Sequence, residues 1–137
     1  MGNVRTRTPQ DTLEIQELVV RYGFVVDDRE WDGLGEIFTE DAVVDLRDHD
    51  VDPPAGLGPY SGLEEITHHY RDVLTHPRQH MLVNHVIDDV SDDEVVVRSK
   101  ALVALSGQRF ADLLYRDVVV RTERGWRIRR KTVSLYR

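Results

Sequence analysis

The chain predicts an α+β fold, with helices gathered ahead of a run of strands. Apolar residues recur at helical spacing early on, at Ile15, Leu18, Val19, Tyr22 and Val26. After Pro77 the pattern changes to two-residue alternation, in four long runs broken by Ser91-Asp92-Asp93, Gly107-Gln108 and Glu123-Arg124-Gly125. No strand–helix–strand alternation appears in that half, which argues against a doubly wound parallel sheet. The 137 residues fit one domain, 1–137, with residues 1–8 expected as a flexible tail.

Composition narrows the function classes. Apolar residues are 40% and charged residues 31%, a globular balance, and the formal net charge is −7. An acidic chain disfavours nucleic acid, which needs a clustered basic surface, and weakens attraction to anionic membranes. Without cysteine there is no disulfide, zinc–thiolate site or thiol nucleophile. No apolar run approaches the ~20 residues that span a bilayer. Residues 1–10 lack the apolar stretch of a secretory signal, so the cytoplasm is expected. Of the basic residues only Lys100 and Lys131 are lysines, which reads as codon bias of a GC-rich genome.

The first helix is expected from Thr8 as N-cap and Pro9 at N1, with Asp11 at N3 completing a capping box, to about Asp27–Asp28. A short second helix carries Trp31, Leu34, Ile37 and Phe38 inward. Thr39-Glu40-Asp41 reads as a turn and 42–46 as a short strand. The polar stretch 47–61, with three prolines, Gly56 and Gly58, is expected as a rim or lid over a cavity, with Tyr60 reaching the ligand. A third helix runs from Gly62 to Thr75 with Leu63, Ile66, Tyr70 and Leu74 inward, and Pro77 stops it. Strands follow over 78–88, 95–106, 110–123 and 126–136, an antiparallel meander long enough to twist strongly. Helices laid across its concave face would close a cone around a pocket.

Several polar residues fall where they could face that pocket. Tyr22 lies on the buried stripe of the first helix. Asp27 ends that helix, where the macrodipole disfavours a carboxylate, so a partner or a task is expected for it. The plainer reading is a satisfied core tyrosine and a solvated turn aspartate. His80 opens the second strand and could act as a general base near neutral pH, or simply bond backbone at a strand end. On a regular strand His80, Leu82, Asn84 and Val86 share one face and Met81, Val83, His85 and Ile87 the other. Only one of His80 and His85 then lines the pocket, unless a bulge intervenes. Tyr115 and Asp117 share a face of the fourth strand. Asp117 is unfavourable in mid-strand, so it either serves a function or pairs with Arg116, Arg98 or Arg129 outside. No pair of histidines sits at ligand spacing on one continuous helix, and no phosphate loop or nucleophile elbow appears, so no metal and no cofactor are expected.

The run RYGFVVDDREWDGLGEIFTEDAVVD resembles the N-terminal signature of SnoaL-like proteins in the nuclear-transport-factor-2-like (NTF2-like) superfamily. It is similar in particular to the branch holding scytalone dehydratase and bile-acid 7α-dehydratase. RQHMLVNHVIDDVSDDEVVVRSK resembles that branch's middle strands and YRDVVVRTERGWRIRRKTV its closing hairpin. The resemblance implies an NTF2-like cone, three N-terminal helices on a strongly curved, mainly antiparallel sheet. It implies catalytic roles for Asp27, four residues before Trp31, for Tyr22, and for His80 of the Gln-His strand start. The branch's first-strand tyrosine is replaced here by Leu46, and its second catalytic histidine has no counterpart in ALVALSGQR. Trp31, Tyr60, Leu82, Asn84, Tyr115 and Asp117 are expected to contact substrate.

The expected function is a cofactor-free lyase or isomerase of dehydratase type. Its substrate would be a small apolar molecule bearing hydroxyl or carbonyl groups. A polyketide-cyclase or ketosteroid-isomerase-like enzyme, or a non-catalytic binding or assembly module, would use the same cone. The outer sheet face, rich in valine and leucine, predicts a homodimer or higher homo-oligomer.

Overall fold

The computed structural model describes residues 7–50 and 52–136. Helix α1 (Pro9–Asp27) is followed by a 3-10 segment (Trp31–Glu36), then β1 (Phe38–Asp48), β2 (Tyr60–Ser61) and α2 (Leu63–His68), which runs on as a π-turn (His69–Val73). Strands β3 (Gln79–Ser91), β4 (Glu94–Ala104), β5 (Phe110–Thr122) and β6 (Gly125–Leu135) complete the chain. They form one six-stranded sheet in the order β2-β1-β6-β5-β4-β3. Only β1 and β6 pair in parallel. This is the expected α+β arrangement, with helices packed on one face of a mainly antiparallel sheet.

Both halves of the expected capping box are present at α1. Thr8 Oγ1 accepts from the Asp11 backbone N–H at 3.0 Å, and Asp11 Oδ2 accepts from Thr8 N–H at 2.9 Å. Ile15, Leu18, Val19, Tyr22 and Val26 are all buried, as the spacing predicts. Within the stretch expected as a tail, Arg7 pairs with Asp89 at 3.1 Å and Thr8 caps the helix, while residues 1–6 lie outside the described residues.

Two boundaries move. The strand expected at 42–46 starts at Phe38, so Thr39–Asp41 belong to β1 rather than to a turn. The parallel register with β6 shifts between Phe38 and Val43, which absorbs the polar residues there. The third helix ends early, because the chain widens into a π-turn in which Leu74 N–H bonds His69 O at 2.8 Å. The loop after β1 folds back on that strand, and Leu46 N–H bonds Leu57 O at 3.1 Å. Gly58 (φ 107°) permits this approach, since a Cβ there would sit 2.9 Å from Val44 O.

Two bulges decide what faces inward. In β3 the register with β4 slips between Val83 and Val86, at Asn84, whose φ is +55°. Before the slip His80 and Leu82 face the helices; after it His85 and Ile87 do. Asn84 and Val86, expected beside His80, are exposed. In β6 the register with β5 slips between the partners of Val118 and Val119. Arg129 and Arg130 consequently both face outward, while Ile128 and Lys131 both face the core. Among the described residues no helix is long and apolar enough to cross a membrane.

Candidate active site

Asp27, the last residue of α1, meets the start of β3. The two elements pack closely at Gly23, where a Cβ would touch His80 O and Leu82 Cδ1, each at 3.4 Å. The His80 backbone N–H donates to both Asp27 oxygens at 3.1 Å, and His80 Nδ1 approaches Asp27 Oδ1 at 2.6 Å. A carboxylate accepts only, so Nδ1 carries the proton and Nε2 keeps its lone pair. Burial pushes the His80 pKa below its ordinary 6.5, outweighing the hydrogen bond and charge of Asp27, with Lys131 and Arg29 acting in the same direction. An ionic pair with a raised histidine pKa is the other outcome such a contact allows; here desolvation wins. His80 is therefore neutral near pH 7, as a general base requires.

Beside His80 lies a cluster of tyrosines. The Tyr22 and Tyr70 hydroxyls are 2.7 Å apart and buried. One donates to the other, which leaves one O–H proton to donate elsewhere. Burial holds both phenols protonated, pushing Tyr22 and Tyr70 well above the ordinary 10. The Tyr22 ring packs edge-on against Tyr115 (6.0 Å between centroids) and His80 (6.5 Å).

Beneath the tyrosines is a fully buried ion pair, with Lys131 Nζ 2.8 Å from Asp117 Oδ1. The contact lies off the hydrogen-bond axis, and the second Asp117 oxygen has no partner among the described residues. Instead the ammonium sits 4.1 Å from the Tyr22 ring centroid and 4.4 Å from that of Tyr115, so two aromatic faces take the place of water. Burial raises the pKa of Asp117 and lowers that of Lys131, each against the pull of the other. Asp117 thus pairs inside the sheet with a residue the β6 bulge turns inward, not outside with an arginine.

These groups border a cavity of about 820 Å³ between the helices and the sheet. Tyr22, His80 and Tyr115 line it. Five other expected contact residues do not. Trp31 stands behind His76 and Tyr70, at 5.2 and 6.4 Å. Tyr60 is buried in β2, stacked on His69 and donating to Gly56 O. Leu82 lies under Gly23, Asn84 is on the bulge, and Asp117 is below the tyrosines. The loop after β1 does reach the cavity, through His49, Asp50 and Leu57 rather than Tyr60. His85 faces inward too, bonded through Nδ1 to Ser99 Oγ at 2.7 Å, outside the cavity lining.

Two lining residues escaped the sequence reading. Tyr70 was visible only as an apolar-stripe position, and its partner Tyr22 is 48 residues away. His76, at the helix–strand connection, bonds through Nε2 to Tyr70 O at 2.7 Å, and its pKa is lowered by burial. Nothing local to either residue signals the contact.

A SnoaL-like domain family model matches residues 7–132, and the chain belongs to that family, within the NTF2-like superfamily. An uncharacterised protein of Mycobacterium tuberculosis is 35% identical over 129 residues, 88% of this chain and 82% of the relative. Among solved structures, a candidate aromatic ring hydroxylase of Novosphingobium aromaticivorans has a TM-score of 0.78 at 28% identity, covering 96% of this chain and 93% of that one. A candidate scytalone dehydratase of the same species has a TM-score of 0.72 at 22% identity, covering 95% and 89%. A hexachlorocyclohexane dehydrochlorinase of Novosphingobium barchaimii has 0.74 at 20% identity, covering 95% and 92%. The last two likenesses concern the fold.

Proposed function

We propose that the cavity houses a lyase or isomerase of dehydratase type, in which side chains alone move a proton next to a carbonyl. The observation that carries this reading is the 2.6 Å Asp27–His80 contact at the cavity wall, which leaves Nε2 as the free base. His80 Nε2 removes a proton α to the carbonyl. The C–H electron pair forms the enolate, and the Tyr22–Tyr70 pair donates its free O–H proton as a hydrogen bond to the enolate oxygen. The enolate collapses, the bond to a β-hydroxyl breaks, and the proton held by His80 leaves with that hydroxyl as water. Return of the proton to another carbon would instead give isomerisation. General-base help is worth ~10²–10⁴ and an oxyanion donor ~10²–10³. Asp27 orients the ring and stabilises the imidazolium formed midway.

A binding module needs no such dyad, and an outward His80 would have favoured it. The names of two fold neighbours, a dehydratase and a dehydrochlorinase, describe eliminations in those proteins.

The test does not need the natural substrate. Aryl ketones incubated with the protein in D₂O should exchange their α protons, followed by proton NMR. His80→Ala should slow that exchange by at least ~10². Exchange that persists undiminished in the variant would overturn the proposal.

A further inference from the structure

The cavity lining carries two arginines beside one carboxylate, Asp50, in an otherwise acidic chain. The chain carries a net −7, and eight of its arginines are ion-paired with carboxylates. Arg78 and Arg109 both line the cavity, and neither forms an ion pair among the described residues. The backbone at both positions is held by hydrogen bonds to the end of β4. Arg78 N–H donates to Ala104 O at 3.1 Å, and Leu105 N–H donates to Arg109 O at 2.8 Å. The two arginines are thus tied to adjacent residues at the end of β4, one from each side. The tight turn at Gly107 and Gln108, both at positive φ, brings Arg109 back to that point. Farther in, the same wall turns apolar, through Val103, Ala111, Leu113 and Val133.

We infer that this pair of arginines binds an anionic group of the ligand, so that the substrate is an amphipathic acid. Its apolar body would fill the inner cavity, and its carboxylate or phosphate would remain at the mouth. The inference rests on the proposed use of the cavity as a substrate site and adds the charge class. Guanidinium groups suit either anion, because their paired N–H donors match two oxygens at once. Both arginines are exposed, so the interaction is screened by salt. That makes it a selector of charge class rather than the main source of affinity.

The test uses three pyrene probes that share an apolar body: pyrenebutanoate, its uncharged primary amide, and pyrenebutyl phosphate. Binding is read from pyrene fluorescence on the full chain, at low and at high salt. The carboxylate should bind at least ~10-fold more tightly than the amide at low salt, a difference that corresponds to one charge-assisted contact. The advantage should shrink to about twofold or less in the double variant Arg78→Gln/Arg109→Gln, and also at high salt. Amide affinity should stay unchanged in the variant. Preference between carboxylate and phosphate identifies which anion the site takes. Equal binding of acid and amide, absence of acid binding, or an acid preference that survives the double variant overturns the inference. The outcome is separable from the catalytic reading. His80→Ala should slow ketone exchange by at least ~10² and keep the acid preference, while the arginine variant removes that preference.

Discussion

The proton on His80 Nδ1 is fixed by Asp27, so the pH at which Nε2 loses its lone pair should set the lower limb of activity. Burial lowers that pKa below 6.5. We therefore expect kcat/KM for the exchange reaction to fall with acidification along a limb whose apparent pKa lies under 6.5, measured across a pH series. Asp27→Asn should cost at least ~10² in that rate, because an amide no longer selects the Nδ1–H tautomer. Tyr22→Phe should cost less, since Tyr70 keeps a hydroxyl facing the same space. The same shifts have a stability consequence. His76, His80 and His85 all have pKa values lowered by burial, so the folded state binds fewer protons than the unfolded one. Their contribution is complete above pH ~6.5 and is lost as the pH falls below it. The urea midpoint should drop between pH 7.5 and 5.5, and His85→Gln should flatten that slope. At this scale the sequence was informative where a residue ends or opens an element, as Asp27 and His80 do. It placed Tyr70 inward but gave it no role, and it was silent for Lys131. Their roles come from neighbours brought together by the sheet and by a one-residue slip.

The elements owe their positions to a few capping and bulge devices. Asp11 is a capping residue that also joins α1 to the far end of the sheet. It accepts from Arg121 at 3.0 and 3.3 Å and from the buried Trp126 indole N–H at 3.1 Å. The Arg121 guanidinium holds its carboxyl well below the usual range. Asp11→Ala removes the cap and strands the indole donor, so it should cost about 2–4 kcal/mol by urea unfolding. The β3 bulge gives a second prediction. Asn84 at φ +55° tolerates the left-handed region as few residues do. Asn84→Val should destabilise by about 1–2 kcal/mol, whereas Asn84→Gly should be nearly neutral. Helix α1 and the four long strands were legible because capping chemistry and alternation are local signals. The bulges were not, since a register slip is set by the partner strand, and each one exchanged inward for outward residues. That is why His80 and His85 both face in, and why Asn84 does not join them.

At the scale of the whole molecule, the sheet leaves its outer face uncovered by its own helices. Val83, Val86, Leu102 and Phe110 are each at least two-fifths exposed there. Met81 lies opposite Leu102 across β3 and β4, with Val83 and Val86 further along the same edge, so the apolar residues form a band rather than isolated points. Charges of both signs sit within it, including the Arg98–Asp88 pair at 3.3 Å, and Asp112 lies opposite Leu102. A patch that carries both signs can match a rotated copy of itself, which a two-fold interface requires. We propose that two copies of the chain pair through this face. Light scattering at micromolar concentration should then give twice the 15.9 kDa chain mass. Leu102→Arg should give monomers with an unchanged circular dichroism spectrum, because Leu102 points away from the cavity and the core. A wild-type chain that scatters as a 15.9 kDa particle would remove the dimer. The cavity opens on the other side of the sheet, so ketone exchange by the monomeric variant should match that of the wild type.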